Sequence, residues 1–425
     1  MEQTPKANRV HIGFFGRCNA GKSTLINMLT DQPVSLVSEV AGTTTDPVSK
    51  SMEILPLGPV VITDTAGIDD TSELGALRIE KSEEIIKKIN LAVYVLRNDE
   101  APTADDMMWL NKLKQNNVPI ALFINKINSS DSESARDNDS NGNDTNLNYV
   151  DAYPDLSAIA TVVGSTDFTS NRDRLTLLDL LGGLTPLDVE GEQSLLQGLV
   201  DPGDTIILVC PIDSAAPKGR LILPQVQTIR EILDHKGLAL VCQTEELPTM
   251  LNKLSQKPKL VITDSQAFEA VNALTPADIP LTSFSILMAR FKGKLQDLVT
   301  GVKALNNLKP GARVLISEGC THRRQCDDIG TVKIPMWLKK KGHTDLQLEF
   351  TSGGAFPKDV SGYDLIIHCG ACMLTRREVL RRIDCAVVQG TPIVNYGVLI
   401  ASLHGILERA ISPFMDELDR KGFEC

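Results

Sequence analysis

The sequence predicts an α/β protein of three domains, each with a mostly parallel sheet: a P-loop domain, a small middle α/β domain and a C-terminal metal-cluster domain. Three observations carry that prediction. Short β-branched runs alternate with amphipathic stretches along the chain. The first run leads into Gly16–Ser23, a complete GxxxxGK[ST] loop. Towards the C-terminal end, Cys320-Thr321-His322 and His368-Cys369-Gly370-Ala371-Cys372 each follow an apolar run.

Composition bounds the function. The 425 residues and 46.2 kDa suit two to four domains of about 100 to 200 residues. Apolar residues at 42% suffice for packed cores, while aromatics at 4% are few for a base-stacking surface. Forty-three Lys and Arg against 54 Asp and Glu leave a net charge of −11, so no nucleic-acid partner is expected. Nine cysteines are an odd count, and residues 1–10 lack a charged-then-apolar leader. Both speak for a reducing, cytoplasmic setting without a disulfide framework. No apolar run nears the ~18 to 20 residues of a bilayer span, so no membrane partner is expected.

In residues 1–185, Val10–Phe15, Val60–Ile62, Leu91–Leu96 and Ile120–Ile124 are expected as buried parallel strands with helices between them. Of residues 128–147, 14 of 20 are Asn, Asp or Ser, too polar to offset their ordering entropy, and a disordered insertion is expected there. Order resumes at Ala158–Val163, a helix over Arg174–Leu181 stops at Gly182-Gly183, and an acidic linker, Pro186–Gln193, follows. Residues 186–275 repeat the βα pattern three times, with strands Thr205–Pro211, Leu238–Cys242 and Lys259–Thr263. Residues 276–425 open with one helix over Phe284–Leu308, then strands Arg313–Ser317, Leu346–Phe350, Asp364–His368 and Pro392–Asn395. The arginines Arg376, Arg377, Arg381 and Arg382 are expected on a solvated helix face.

The Gly16–Ser23 loop predicts a phosphate site. Backbone N–H groups of Gly16, Asn19, Ala20 and Gly21 cradle the phosphates at a helix N-terminus, Lys22 reaches the β and γ oxygens, and the Ser23 hydroxyl, beside Thr24, binds Mg²⁺. Asp64-Thr65-Ala66-Gly67 follows the second predicted strand, where Asp64 can hold the metal through water and Gly67 can offer an N–H to the γ-phosphate. Asn125-Lys126-Ile127-Asn128 follows the strand that ends at Ile124.

These residues resemble the small GTPases, whose base-reading motif is NKxD, and within them the Era and TrmE branch, through GxxNxGKST and Gly42-Thr43-Thr44-Thr45-Asp46. The resemblance implies GTP as ligand, Thr44 on Mg²⁺, Asn19 on K⁺, and Ser165 in the last guanine-contacting loop. Its catalytic set is Lys22, Asn19, Thr44 and Gly67. Ile68 stands where Ras-like enzymes carry the water-orienting glutamine, so hydrolysis is expected to be slow and K⁺-stimulated. Asn128 replaces the motif's aspartate; a neutral carbonyl gives up a charge-assisted acceptor, which puts guanine selectivity in question.

Cys18, Cys210, Cys242, Cys385 and Cys425 have no partner at ligand spacing and are expected as incidental thiols. The CxH and HCxxC groups follow successive strands, and the carboxyl ends of parallel strands are where ligands collect. Their thiolates and imidazoles suit either zinc or an iron–sulfur cluster, and spacing alone does not choose.

The combination of a TrmE/Era-type GTPase domain, a middle α/β domain and CxH followed by HCxxC resembles the FeFe-hydrogenase maturation GTPases of the HydF family. That resemblance implies a 4Fe-4S cluster on Cys320, Cys369 and Cys372 with an exchangeable fourth ligand, at most one of His322 and His368. It further implies dimerisation through the middle domain, a scaffold role for a diiron precursor, and the hydrogenase apo-enzyme and radical maturation enzymes as partners. The alternative is an RNA- or ribosome-associated GTPase with a structural zinc site, which the charge of −11 disfavours. A CxxC redox enzyme would leave the GTPase unexplained.

Overall fold

A computed structural model describes residues 9–30, 48–54, 57–65, 75–126, 152–166, 171–184, 194–212, 221–319, 328–353 and 355–419. The expected insertion at 128–147 lies outside them, as do Thr44, Gly67, Asn128, Cys320, His322 and Cys425. The chain forms two compact units, Met1–Glu190 and Gly191–Cys425. The first division falls close to the one expected after residue 185, whereas the segments 186–275 and 276–425 form one unit.

In the first unit a six-stranded sheet runs in the order β2-β3-β1-β4-β5-β6, with β1 Val10–Phe15, β2 Val48–Ile54, β3 Gly58–Asp64, β4 Leu91–Arg97, β5 Ile120–Asn125 and β6 Val162–Thr166. All pairs are parallel except β2 with β3. Strand residues alternate between two cores, one on each face: Phe14, Val93, Val95 and Phe123 join Leu25 and Leu178, while Phe15, Tyr94, Leu96 and Leu122 join Ile86 and Trp109. A period of two with both faces apolar gives the unbroken runs seen in the sequence. The covering helices are α1 Lys22–Thr30, α2 Gly75–Lys88, α3 Ala104–Gln115, α4 Pro154–Ile159 and α5 Asn171–Leu184. The edge strand β2 was not expected. Its VSKSMEI sequence is half polar, as an edge tolerates, and Ser49 Oγ pairs with Thr63 Oγ1 at 2.9 Å.

The second unit holds two four-stranded parallel sheets. One runs β10-β9-β7-β8, from β7 Thr205–Val209, β8 Leu238–Cys242, β9 Leu260–Thr263 and β10 Leu281–Ser283. The other runs β12-β11-β13-β14, from β11 Arg313–Glu318, β12 Gln347–Ser352, β13 Leu365–His368 and β14 Ile393–Asn395. Both therefore repeat one topology, and both contribute to one hydrophobic core that includes Leu208, Ile262, Ile316 and Ile367. Its helices are α6 Leu223–Asp234, α7 Leu247–Lys253, α8 Phe268–Leu274, α9 Phe284–Lys292, α10 Leu295–Leu305, α11 Ile334–Lys340, α12 Arg376–Val388, α13 Tyr396–Leu403, α14 Leu407–Ile411 and α15 Met415–Asp419.

Two expectations are corrected. The single helix over Phe284–Leu308 is two, because Gly293 leaves helical geometry at φ −122°, ψ −154°, and α10 starts afresh at Leu295. The arginine face of α12 is turned inwards: Arg382 is 0% exposed, its Nε donates to Glu378 Oε1 at 2.8 Å, and Arg376 Nε donates to the Phe291 carbonyl at 3.2 Å. Glu378 one turn away neutralises the buried charge, a pairing that a count of arginines does not reveal.

Candidate functional site

The P-loop is built by the passage from β1 to α1. Gly16 turns at φ +136°, and a Cβ there would meet the Val95 carbonyl oxygen at 2.5 Å, so only glycine passes under β4. Asn19 sits at φ +60° and Gly21 at φ +103°, which opens the loop around the N-terminus of α1. Lys22 is buried, and Nζ donates to the carbonyls of Gly16 at 2.7 Å and Arg17 at 2.8 Å, holding the loop's own oxygens. Ser23 and Thr24, the first residues after Lys22 in α1, are exposed at that end.

Asp64 ends β3 beside β1. Its Oδ1 is buried without a hydrogen-bond partner, and burial pushes its carboxyl above the usual aspartate value, with the Lys22 ammonium opposing. A buried, unsatisfied carboxylate oxygen beside the lysine fits a hydrated Mg²⁺, the ligand that removes such an orphan. Asn125 Nδ2 donates to the Ala20 carbonyl at 3.1 Å, so the Asn125-Lys126 segment is tied directly to the P-loop. Lys126 is half-buried next to it, and Ser165 lies on β6 paired with Ile124.

Arg17 is a residue the motif left unassigned. Its guanidinium is bound to Asp106 at 3.2 Å, Glu100 at 2.8 Å and the Ala101 carbonyl at 3.3 Å, anchoring the loop to the start of α3. Asp106 is 0% exposed and also accepts from Tyr94 Oη at 2.9 Å and from the Thr103 backbone N–H at 2.8 Å. No pattern in the sequence announces this anchor, because its partners lie some 80 residues away in the chain.

In the second unit, the HCxxC group lies where β13 reaches its carboxyl end beside that of β11, at the point where the strand order reverses. Cys369 N–H donates to the Ser317 carbonyl at 3.0 Å, and Cys369 Sγ accepts from the Gly319 N–H at 3.0 Å and the Ala371 N–H at 3.3 Å. Gly319 immediately precedes Cys320 in sequence. A Cβ on Gly319 would meet Leu374 Cγ at 2.6 Å, so this glycine lets the end of β11 approach the HCxxC loop. Two N–H donors on one sulfur suit a thiolate or a metal-bound thiolate better than a thiol. Burial pushes the Cys372 thiol up, Cys369 adds to this, and Lys292 opposes it.

Around the loop stand residues that spacing did not single out. Lys292, the last residue of α9, donates Nζ to the carbonyls of Ala371 at 3.3 Å, Cys372 at 3.0 Å and Leu374 at 2.8 Å. Tyr396 Oη donates to Glu318 Oε1 at 3.2 Å, and burial with the nearby Glu318 charge pushes the phenol far up. His368 is buried between Arg382 and the Cys369 carbonyl. Among the described residues no group of three or more His, Cys, Asp or Glu converges on one metal position. Cys369, Cys372 and His368 are the described part of the expected set.

The family model for the hydrogen maturase F dimerization domain matches residues 195–293, and that for its tetramerization domain matches 296–413. Together they take in more than half of the chain and nearly all of its second unit. The chain belongs to the hydrogen maturase F family. Its middle segment thus carries the family's dimerization domain, as expected, and the segment holding the cysteines is its tetramerization domain, which periodicity did not indicate. A third model, for a 50S ribosome-binding GTPase, matches residues 11–126. This segment of the hydrogen maturase F chain is a GTPase domain for GTP with Mg²⁺.

The curated relatives match over about a quarter of this chain. The tRNA modification GTPase MnmE of Endomicrobium trichonymphae is 32% identical over 121 residues, 28% of this chain and 26% of that protein. GTPase Der of Campylobacter curvus is 35% identical over 118 residues, 28% and 25%. The chain spans about a quarter of the length of the curated relatives it matches. Among solved structures, a variant of Aquifex aeolicus Era bound to GDP and AlF4⁻ aligns at 19% identity with a TM-score of 0.33, over 58% of this chain and 98% of that one. Among the described residues no helix is long and apolar enough to cross a membrane.

Proposed function

We propose that this chain is a cytoplasmic, GTP-hydrolysing scaffold that holds a 4Fe-4S cluster on Cys320, Cys369 and Cys372 and carries a diiron precursor to the apo-enzyme of an FeFe-hydrogenase, working with radical maturation enzymes. The observation that carries the reading is the Gly319 N–H bonded to Cys369 Sγ at 3.0 Å, which draws the residue next to Cys320 onto the HCxxC cysteine at a strand-end switch point. Cys320, Cys369 and Cys372 would hold the cluster, which would supply an exchangeable coordination position for incoming cargo. A hydrogen maturase F membership supports the hydrogenase as recipient.

In the GTPase domain, Lys22 and the P-loop N–H groups bind the phosphates, Ser23, Thr44 and Asp64 serve Mg²⁺, and Gly67 meets the γ-phosphate. With Ile68 in place of a glutamine, charge in the transition state falls to K⁺ held by Asn19, and turnover is slow. Self-association is proposed through β8, an edge strand with Leu238 57% and Val241 44% exposed, which suits pairing with a second copy.

The test is iron and sulfide content of anaerobically reconstituted full-length chain, beside activation of apo-hydrogenase in vitro. Cys320→Ser, Cys369→Ser and Cys372→Ser each lose the cluster and the activation while GTP hydrolysis remains. Full iron in all three variants, or stoichiometric zinc in the unmodified chain, removes the scaffold reading and favours a GTPase with a structural zinc site.

A further inference from the structure

We infer that Lys292 is the positioning and charge-compensating residue of the cysteine loop, a buried cation that raises the reduction potential of a cluster bound at that loop. The inference rests on the cluster reading above and deepens it.

Lys292 is only 2% exposed, and its three contacts, to the carbonyls of Ala371, Cys372 and Leu374, use all three ammonium N–H bonds. The HCxxC loop is wrapped on this one side chain, with Ala371 turned to φ +55° so that its carbonyl can take part. Among the described residues no carboxylate pairs with Lys292. An ammonium buried without a counter-charge is unfavourable by several kcal/mol in order of magnitude, so a fold retains one where an anion compensates it. The groups beside it that can carry negative charge are Cys372 and Cys369, as thiolates. Metal-bound thiolates supply that negative charge permanently. A loop that required only hydrogen bonds would be equally served by neutral donors, so the charge itself is the feature to explain. A cluster gains one negative charge on reduction, and net charge and hydrogen bonding nearby set its potential. A fixed cation therefore favours the reduced state.

The test uses the full chain reconstituted anaerobically with iron and sulfide, titrated with dithionite against mediators and followed by electron paramagnetic resonance. Lys292→Gln keeps amide donors for the carbonyls and removes the charge. Expected is unchanged iron content with a reduced-to-oxidised ratio at fixed potential about tenfold lower, a midpoint about 59 mV more negative for one electron. Lys292→Arg is expected to keep the unmodified midpoint. An unshifted midpoint in Lys292→Gln, or an equal shift in Lys292→Arg, overturns the inference. If Lys292→Gln takes up no iron, Lys292→Arg decides: a cluster at the unmodified midpoint supports the inference and absence of iron overturns it. An unmodified chain without iron removes the cluster reading itself, whereas full iron with an unshifted Gln variant removes only the role of Lys292.

Discussion

His368 faces Arg382 with Nε2 3.2 Å from Nη1, while its Nδ1 lies 2.9 Å from the Cys369 carbonyl oxygen. A guanidinium only donates, so Nε2 is the acceptor, and the ring proton sits on Nδ1 and donates to the carbonyl. Both ring nitrogens are thus engaged by the protein. His368 is therefore expected to orient the loop and not to ligate iron: His368→Ala keeps its iron and sulfide, and any histidine nitrogen coupling in hyperfine spectra stays. Loss of that coupling in this variant would identify His368 as the fourth ligand, and its persistence directs attention to His322.

Arg382 is predicted to matter more for stability than the exposed ion pairs. Its Nε meets Glu378 at 2.8 Å and its Nη2 donates to the Gly353 carbonyl at 2.7 Å. Arg382→Met leaves Glu378 buried with only Arg381, and denaturant unfolding should show a loss of about 3 kcal/mol or more. Burial pushes the Glu378 carboxyl up, but bonds from Arg381 and Arg382 hold it below the usual glutamate value. The pair's contribution is present above the ordinary glutamate range and fades as pH falls through the lower folded value, so the gap between the two proteins should narrow in acid.

Asp64 gives the opposite sign. Burial raises its carboxyl, so ionisation weakens the folded state wherever pH exceeds that raised value. Asp64→Asn should raise the melting temperature of the nucleotide-free chain at neutral pH, with the gain vanishing below the ordinary aspartate range, while Mg²⁺-dependent GTP binding weakens. A lower melting temperature at pH 7 would show that Lys22 and Asp64 stabilise one another even without ligand.

Asn19 lies at φ +60°, a region that asparagine tolerates and alanine resists by about 1 kcal/mol. Asn19→Gly removes the amide without backbone strain. Hydrolysis by the unmodified chain should be faster in K⁺ than in Na⁺, and this variant should lose the preference while still binding GTP. Equal rates in both salts for the unmodified chain would exclude the K⁺ role.

For the base, Asn128→Asp adds one charge-assisted acceptor for guanine, a gain of roughly 1.5 to 3 kcal/mol or ~10- to 150-fold in affinity. Calorimetric titration with GTP, XTP and ATP checks it. An unaltered GTP affinity would mean that another residue reads the base.

The sequence by itself determined what depends on neighbours along the chain. The parallel strands were legible because both faces of β4 and β5 are apolar, the P-loop because its glycines and Lys22 lie in one short loop, and the HCxxC loop because its histidine and cysteines share one turn. Tertiary structure decided what depends on partners far apart in sequence. Arg17 is fixed by α3, Lys292 reaches a loop about 80 residues on, and β2 gains strand form only by pairing with β3. The arginines of α12 show the same limit in reverse, since a charged residue reads as solvated until Glu378, Gly353 and His368 are seen to satisfy it. Burial of a charge is a property of the three-dimensional neighbourhood, and its energy is set by partners that no local pattern names.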